Sequence, residues 1–157
     1  MDDSPKQSAR EILETTPLVM QFIRDRVRQR RAAELSLPQF RTLSFLNRSK
    51  NSSLSAAAEH LGLSLPAMSR LINGLVSDRL VGRQMVSTNR RQIALTLTTR
   101  GQTTLEKVRD EIRLRLADSI KNLPVAEQKN IQHAMRMLRG VFDCQAATGN
   151  SSYKVKP

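Results

Sequence analysis

Ser64, Pro66, Ala67, Ser69 and Arg70 crowd into seven residues, and Asn73 follows one turn later. On a helix they form a slim polar face whose chemistry is hydrogen bonding. A serine hydroxyl bonds several bases, an arginine pairs bidentately with guanine or holds a phosphate, and an asparagine reads adenine or bonds a phosphate. The free N–H groups at the start of such a helix also suit a phosphate. Arg83, Asn89, Arg90 and Arg91 form a second polar, basic group further along. An ordinary wet surface helix would have the first pattern too, so the surroundings decide between the two readings.

Those surroundings are of one sign. From Leu61 to Leu105 the only acidic residue is Asp78, against Arg70, Arg79, Arg83, Arg90, Arg91 and Arg100. The whole chain has 26 Lys and Arg against 14 Asp and Glu, a formal net charge of +12 in 157 residues. A solvated surface mixes its signs, whereas a run of one sign over consecutive elements suits a phosphate backbone. Aromatic residues are 3% of the chain, too few for the stacking platforms of single-strand binders. A membrane-surface role would need a basic helix with Trp or Phe on its apolar face, and no apolar run is long enough to span a bilayer. His60, His133 and the single Cys144 lack metal-ligand spacing, and no phosphate loop or nucleophile motif occurs. The reading is therefore of a non-enzyme with no metal and no cofactor. One cysteine and a polar, acidic N-terminus point to the cytoplasm.

Caps and periodicity give the elements that hold these side chains. Residues 1–9 read as a loose tail. Thr16 is a cap with Pro17 in the first turn, and Val19, Met20, Ile23 and Val27 keep helical spacing towards Arg31, with Ile12 and Leu13 in a short preceding turn. Ser36-Leu37-Pro38-Gln39 is a capping box for a helix with Phe40, Leu43 and Leu46 on one face, ending near Arg48. Ser55 caps a short helix that Gly62 stops, and Leu63 is expected to be buried in the turn. Ser64 caps the next helix, which turns Met68, Leu71, Ile72 and Leu75 inward and ends near Asp78. Two extended runs follow, Leu80 to Val86 and Gln92 to Leu97, with Ile93, Leu95 and Leu97 on one side. The turn between them, Ser87 to Arg91, gives a hairpin with a basic tip, thin enough to lay an arginine into a narrow minor groove. Thr98 caps a long helix striped by Leu105, Val108, Ile112, Leu116 and Ile120. Pro124 restarts the chain, and Val125, Ile131, Met135, Leu138 and Phe142 stripe the last helix, before a loose tail from about Gln145.

This order is a helix-turn-helix followed by a wing, and its central segment resembles the MarR family of bacterial transcription regulators. The resemblance rests on Leu37-Pro38-Gln39-Phe40, Ser55 to Ser64, Ser69-Arg70-Leu71-Ile72, Asn89-Arg90-Arg91, Leu95 to Thr98 and Gly101. It implies a mainly α fold with a small β-hairpin wing (α+β), flanked by N- and C-terminal dimerisation helices. It also implies that Ser64, Pro66, Ser69 and Arg70 face the major groove and that Arg91 reaches the minor groove. Two departures stand out: Asn89 replaces the usual Asp, and Arg79 replaces the Gly that usually ends the recognition helix. An arginine there must take an unfavourable backbone angle, or the turn must differ.

The terminal stripes are longer than a winged helix alone can bury, and the chain has four Phe, one Tyr and no Trp to anchor a core. Either the stripes pack on each other inside one chain or, as the resemblance implies, they form a homodimer through Val19, Ile23, Val27, Leu116, Ile120, Ile131, Met135 and Leu138, with a pseudo-palindromic operator. The expected domains are 36–101 for DNA binding, 10–33 and 102–144 for dimerisation, and 1–9 and 145–157 as flexible tails. The expected function is a sequence-specific double-stranded DNA-binding regulator, with repression the simpler mode. A non-specific architectural DNA-binding protein is the alternative, since the same phosphate contacts support it. The resemblance also implies release by a small aromatic or phenolic ligand, for which Arg24, Arg28, His60 and the methionines are candidate lining residues. Family members that sense oxidants use a cysteine near the N-terminus, so Cys144 reads as a small apolar residue.

Overall fold

A computed structural model describes residues 3–29, 35–86 and 89–148, with residues 86, 89–92 and 144–148 described by their backbone alone. The elements run α1 (Ser4–Arg28), α2 (Leu37–Arg48), α3 (Leu54–Leu61), α4 (Leu65–Ser77), β1 (Val81–Val86), β2 (Asn89–Leu97), α5 (Thr99–Ile120) and α6 (Val125–Thr148). The class is the expected one, mainly α with a two-stranded antiparallel hairpin. The chain divides into two compact units, Met1–Leu114 and Arg115–Pro157. Helix α1 therefore falls in the same unit as the winged helix and packs on α2. No described helix is long and apolar enough to cross a membrane.

Helix α1 is the largest departure from the sequence reading. It is already helical at Ser4, where composition suggests a loose tail, and Pro17 lies inside it rather than at its start. Thr16 turns its hydroxyl back to the Ile12 carbonyl (2.7 Å) instead of capping forward. The signal for this start is polar. Pro5 sits in the first turn, and Lys6–Asp3, Gln7–Glu11 and Arg10–Glu14 pair along an exposed face. Such pairs support a helix without any apolar period. At the other end, residues 145–148 continue α6 in place of the expected tail.

Helices α2, α3 and α4 have serine N-caps. In the Ser36 capping box the Gln39 N–H donates to the Ser36 hydroxyl (3.4 Å) and the Ser36 N–H donates to Gln39 Oε1 (2.8 Å). Ser53, not Ser55, caps α3 by accepting from the Ala56 N–H (3.1 Å). The helix thus starts at Leu54, two residues before the start that a Ser55 cap implies. Ser64 caps α4 as expected, accepting from the Ala67 N–H. Gly62 ends α3 in the left-handed region (φ 67°), and the Leu63 N–H returns to the Ala58 carbonyl. Leu63, expected to be buried, is 37% exposed, because the return bond uses its backbone and leaves the side chain at the surface.

Leu43, Leu46, Met68, Ile72, Leu75, Leu95, Leu105 and Val108 are fully buried and form the core of the first unit. The hairpin is half in this core and half out. Near its base Leu95 is buried and its N–H donates to the Ser52 carbonyl (2.8 Å). Towards the tip the cross-strand pair Met85 and Ile93 stands exposed. Ile93 and Leu95 therefore do not share one buried face as alternation suggests, because the body covers only the base.

Candidate nucleic-acid interface

Helix α4 turns most of its apolar side inward, which leaves the polar side and Leu65 at its leading end to solvent. Met68, Ile72 and Leu75 are fully buried, while Ser64, Pro66, Arg70 and Asn73 are exposed and Ala67 and Ser69 half-buried. The candidate residues of the recognition helix thus lie on its accessible side. Helix α3 packs against α4 and α2, the arrangement of a helix-turn-helix.

The turn after α4 fixes the wing to this helix. Asp78 is the cap, Arg79 takes φ 60°, the Arg79 N–H donates to the Val76 carbonyl and the Leu80 N–H to the Leu75 carbonyl. This is a Schellman closure with an arginine in the place that glycine usually fills. The left-handed angle costs a side-chain-bearing residue about 1 kcal/mol or more. The Arg79 carbonyl accepts from the Thr98 hydroxyl (2.6 Å), and that hydroxyl accepts from the Gly101 N–H (2.9 Å). The Thr98 N–H donates to the Leu80 carbonyl (3.1 Å). A Cβ on Gly101 would fall 2.0 Å from that carbonyl oxygen, so only glycine fits there. One knot of backbone groups therefore ties the end of α4, the base of the wing and the start of α5.

Recognition helix and wing also meet through side chains. Arg83 on β1 donates to Asn73 Oδ1 at 2.6 Å. A guanidinium can only donate, so the bonded atom is the amide oxygen and the amide N–H groups are left to face outward. Bidentate reading of adenine needs that oxygen, so in this arrangement Asn73 shares its acceptor between Arg83 and any base it reads. The sequence places both residues in the interface without linking them. Asn89, Arg90 and Arg91 read as a turn by composition, but their backbone belongs to strand β2, whose pairing with β1 shifts register between Met85 and Val86. Strand pairing in a projecting ribbon uses backbone groups only, so polar composition does not exclude it. Their side chains lie outside the described residues.

A second feature lies on the body of the first unit. A pocket of about 510 Å³ is lined by Met20, Ile23, Phe40, Arg41, Ser44, Arg48, His60, Arg109, Ile112 and Arg113. The His60 ring stacks on Phe45 (centroids 4.5 Å), and Arg48 donates to its Nε2 at 3.3 Å. Nε2 is then the accepting nitrogen, which requires the neutral ring. Burial, and then the Arg48 and Arg41 charges, hold the imidazole below its ordinary pKa. Arg109 and Arg113 both reach Glu106, and Arg113 also pairs with Asp110. The Arg109 hydrogen bond chiefly holds Glu106 below the usual carboxylate range. Among the described residues neither Arg41 nor Arg48 has a carboxylate partner. Arg24 and Arg28 line a smaller neighbouring pocket with Met20 and Phe40. Arg41, Arg48, Arg109 and Arg113 carry no mark in the sequence, because they are scattered along separate helices.

Of the residues assigned to a dimer, Val27 is 3% exposed within the chain and is core instead. Ile23 lines the pocket, and Val19, Ile120, Ile131 and Met135 are exposed. Cys144 has its side chain outside the described residues. Among the described residues no group of three or more His, Cys, Asp or Glu could hold a metal ion.

Residues 33–92 match the model of the MarR family. No curated protein sequence is significantly similar to the chain. Among solved structures, RV1404 from Mycobacterium tuberculosis is 23% identical with a TM-score of 0.66, covering 98% of this chain and 100% of that one. The transcriptional regulator Tm0710 from Thermotoga maritima is 19% identical with a TM-score of 0.70, covering 90% and 98%. A point mutant of MepR from S. aureus, bound to an oligodeoxyribonucleotide, is 18% identical with a TM-score of 0.59, covering 85% and 97%. At these identities the likeness is one of fold.

Proposed function

From the match of residues 33–92 to the MarR family model and from the shared fold, we propose that the chain is a winged helix-turn-helix protein of the MarR type and a sequence-specific regulator of transcription. It binds double-stranded DNA as a homodimer at a pseudo-palindromic operator, and it represses by occupying the site. It acts by binding rather than catalysis, in the cytoplasm on the nucleoid. The observation that carries this reading is the exposed polar side of α4, joined through Asn73–Arg83 to a basic wing in a stretch with Asp78 as its one acid.

Ser64, Pro66, Ala67, Ser69, Arg70 and Asn73 are the groove-facing residues in this reading, and Arg83, Asn89, Arg90 and Arg91 serve the wing. The dimer forms through the exposed stripe of α6 with Val19 and Ile120. This regroups the expected domains: α1 stays with the winged helix and α6 supplies most of the partner face. The arginine-lined pocket suits a small aromatic carboxylate, with Phe40 and Ile112 against the ring and Arg41 and Arg48 on the acid. Such a ligand would act on DNA binding through His60, which belongs to α3.

A polarisation titration tests the proposal. Labelled duplex from upstream of the chain's own gene is compared with a shuffled duplex at several salt concentrations. A preference of about a thousandfold or more for the native duplex is expected of a specific regulator. Equal, steeply salt-dependent binding to both would instead support the architectural alternative.

A further inference from the structure

Leu65 is the first residue of α4 and is 52% exposed. The inward side of the helix is already filled by Met68, Ile72 and Leu75, so the core makes no use of this leucine's outer half. Leu65, Ser69 and Asn73 follow at four-residue intervals and form one ridge. The far end of the ridge is fixed to the wing by the Arg83 bond. Helical side chains lean towards the N-terminus, so Leu65 projects beyond the start of the helix. The exposed Leu63 lies two residues earlier in the turn. This is an apolar tip within a segment whose charges are arginines and one aspartate.

The leading residues of a recognition helix contact base edges. Those edges present donors, acceptors and one apolar group, the thymine C5 methyl. An aliphatic side chain forms no hydrogen bond there and cannot tell one polar edge from another. We infer that Leu65 is a specificity-determining contact that packs on a thymine methyl in each half-site. This rests on the proposed duplex-DNA function and adds to it a position where the operator requires thymine. Ser69 and Arg70, which read by hydrogen bonding, do not impose that requirement.

The full-length chain is used to select its preferred duplex from a random pool. Each thymine of the selected duplex is then replaced singly by deoxyuridine, which removes only the methyl. One replacement per half-site should weaken binding about fourfold, the value of one buried methyl-sized group. Leu65→Ala should bind thymine and deoxyuridine equally at that position, and Leu65→Met should keep the discrimination. A selected site whose thymines all tolerate deoxyuridine would overturn the Leu65 assignment alone, as would an undiminished thymine preference in Leu65→Ala. A pool that never converges would overturn the sequence-specific function and this assignment with it.

Discussion

Helices α4 and α6 both carry apolar residues at three- and four-residue spacing, yet they use them in opposite ways. Met68, Ile72 and Leu75 of α4 are fully buried, whereas Val125, Ile131, Met135, Val141 and Phe142 of α6 stand exposed. The first stripe is satisfied inside its own unit, so what α4 offers outward is polar apart from Leu65 at its leading end. The second is unsatisfied in a single chain, so what α6 offers outward is apolar. Periodicity alone shows that a helix has an apolar side and does not show whose atoms cover it.

Breaking the exposed stripe should give the largest effect. Ile131→Asp with Met135→Asp should turn a dimer into a monomer in sedimentation runs, a loss on the order of 5 kcal/mol by apolar area. A double variant that still sediments as a dimer would remove α6 from the interface. On the buried side, Gly101→Ala forces a Cβ against the Leu80 carbonyl. It should lower stability by about 3 kcal/mol in denaturant unfolding, and an unchanged midpoint would contradict the knot at the base of the wing. Arg70→Ala should cost about 2 kcal/mol of specific binding if the exposed side of α4 reads a base. Equal loss on all sequences would make Arg70 a phosphate contact. Arg79→Gly should raise stability by about 1 kcal/mol, because it relieves the left-handed angle. The smallest effect concerns His60. Its folded-state pKa is lowered by burial and by Arg48 and Arg41. The unfolded chain then binds more protons, so stability is full above the ordinary histidine range and declines as pH falls through it. His60→Gln should flatten that decline, and an identical slope in both proteins would remove the histidine from the account.

What the sequence disclosed follows the same division. Ser36, Gly62, Ser64 and Thr98 act over three or four residues, and each is legible as a cap or stop. Arg79 is legible as a misfit, because a bulky residue occupies a glycine position. The start of α1 is not, since its support is ion pairs on an exposed face rather than an apolar period. Neither is the Arg83–Asn73 bond, nor the pocket around His60, because both depend on how separate elements meet. Ser53 and Ser55 are alike as caps in the sequence, and only the position of the Ala56 N–H distinguishes them.

In the proposed assembly two such chains, joined by the apolar side of α6, place two winged helices on one duplex. It is tested most directly by binding the full-length chain to its selected duplex and to the same duplex with about five base pairs, half a helical turn, inserted between the half-sites. Affinity should fall to the level of a single half-site, because the second winged helix then faces the wrong side of the DNA. Undiminished binding to the lengthened duplex would show that the two sites are read independently and would contradict the account.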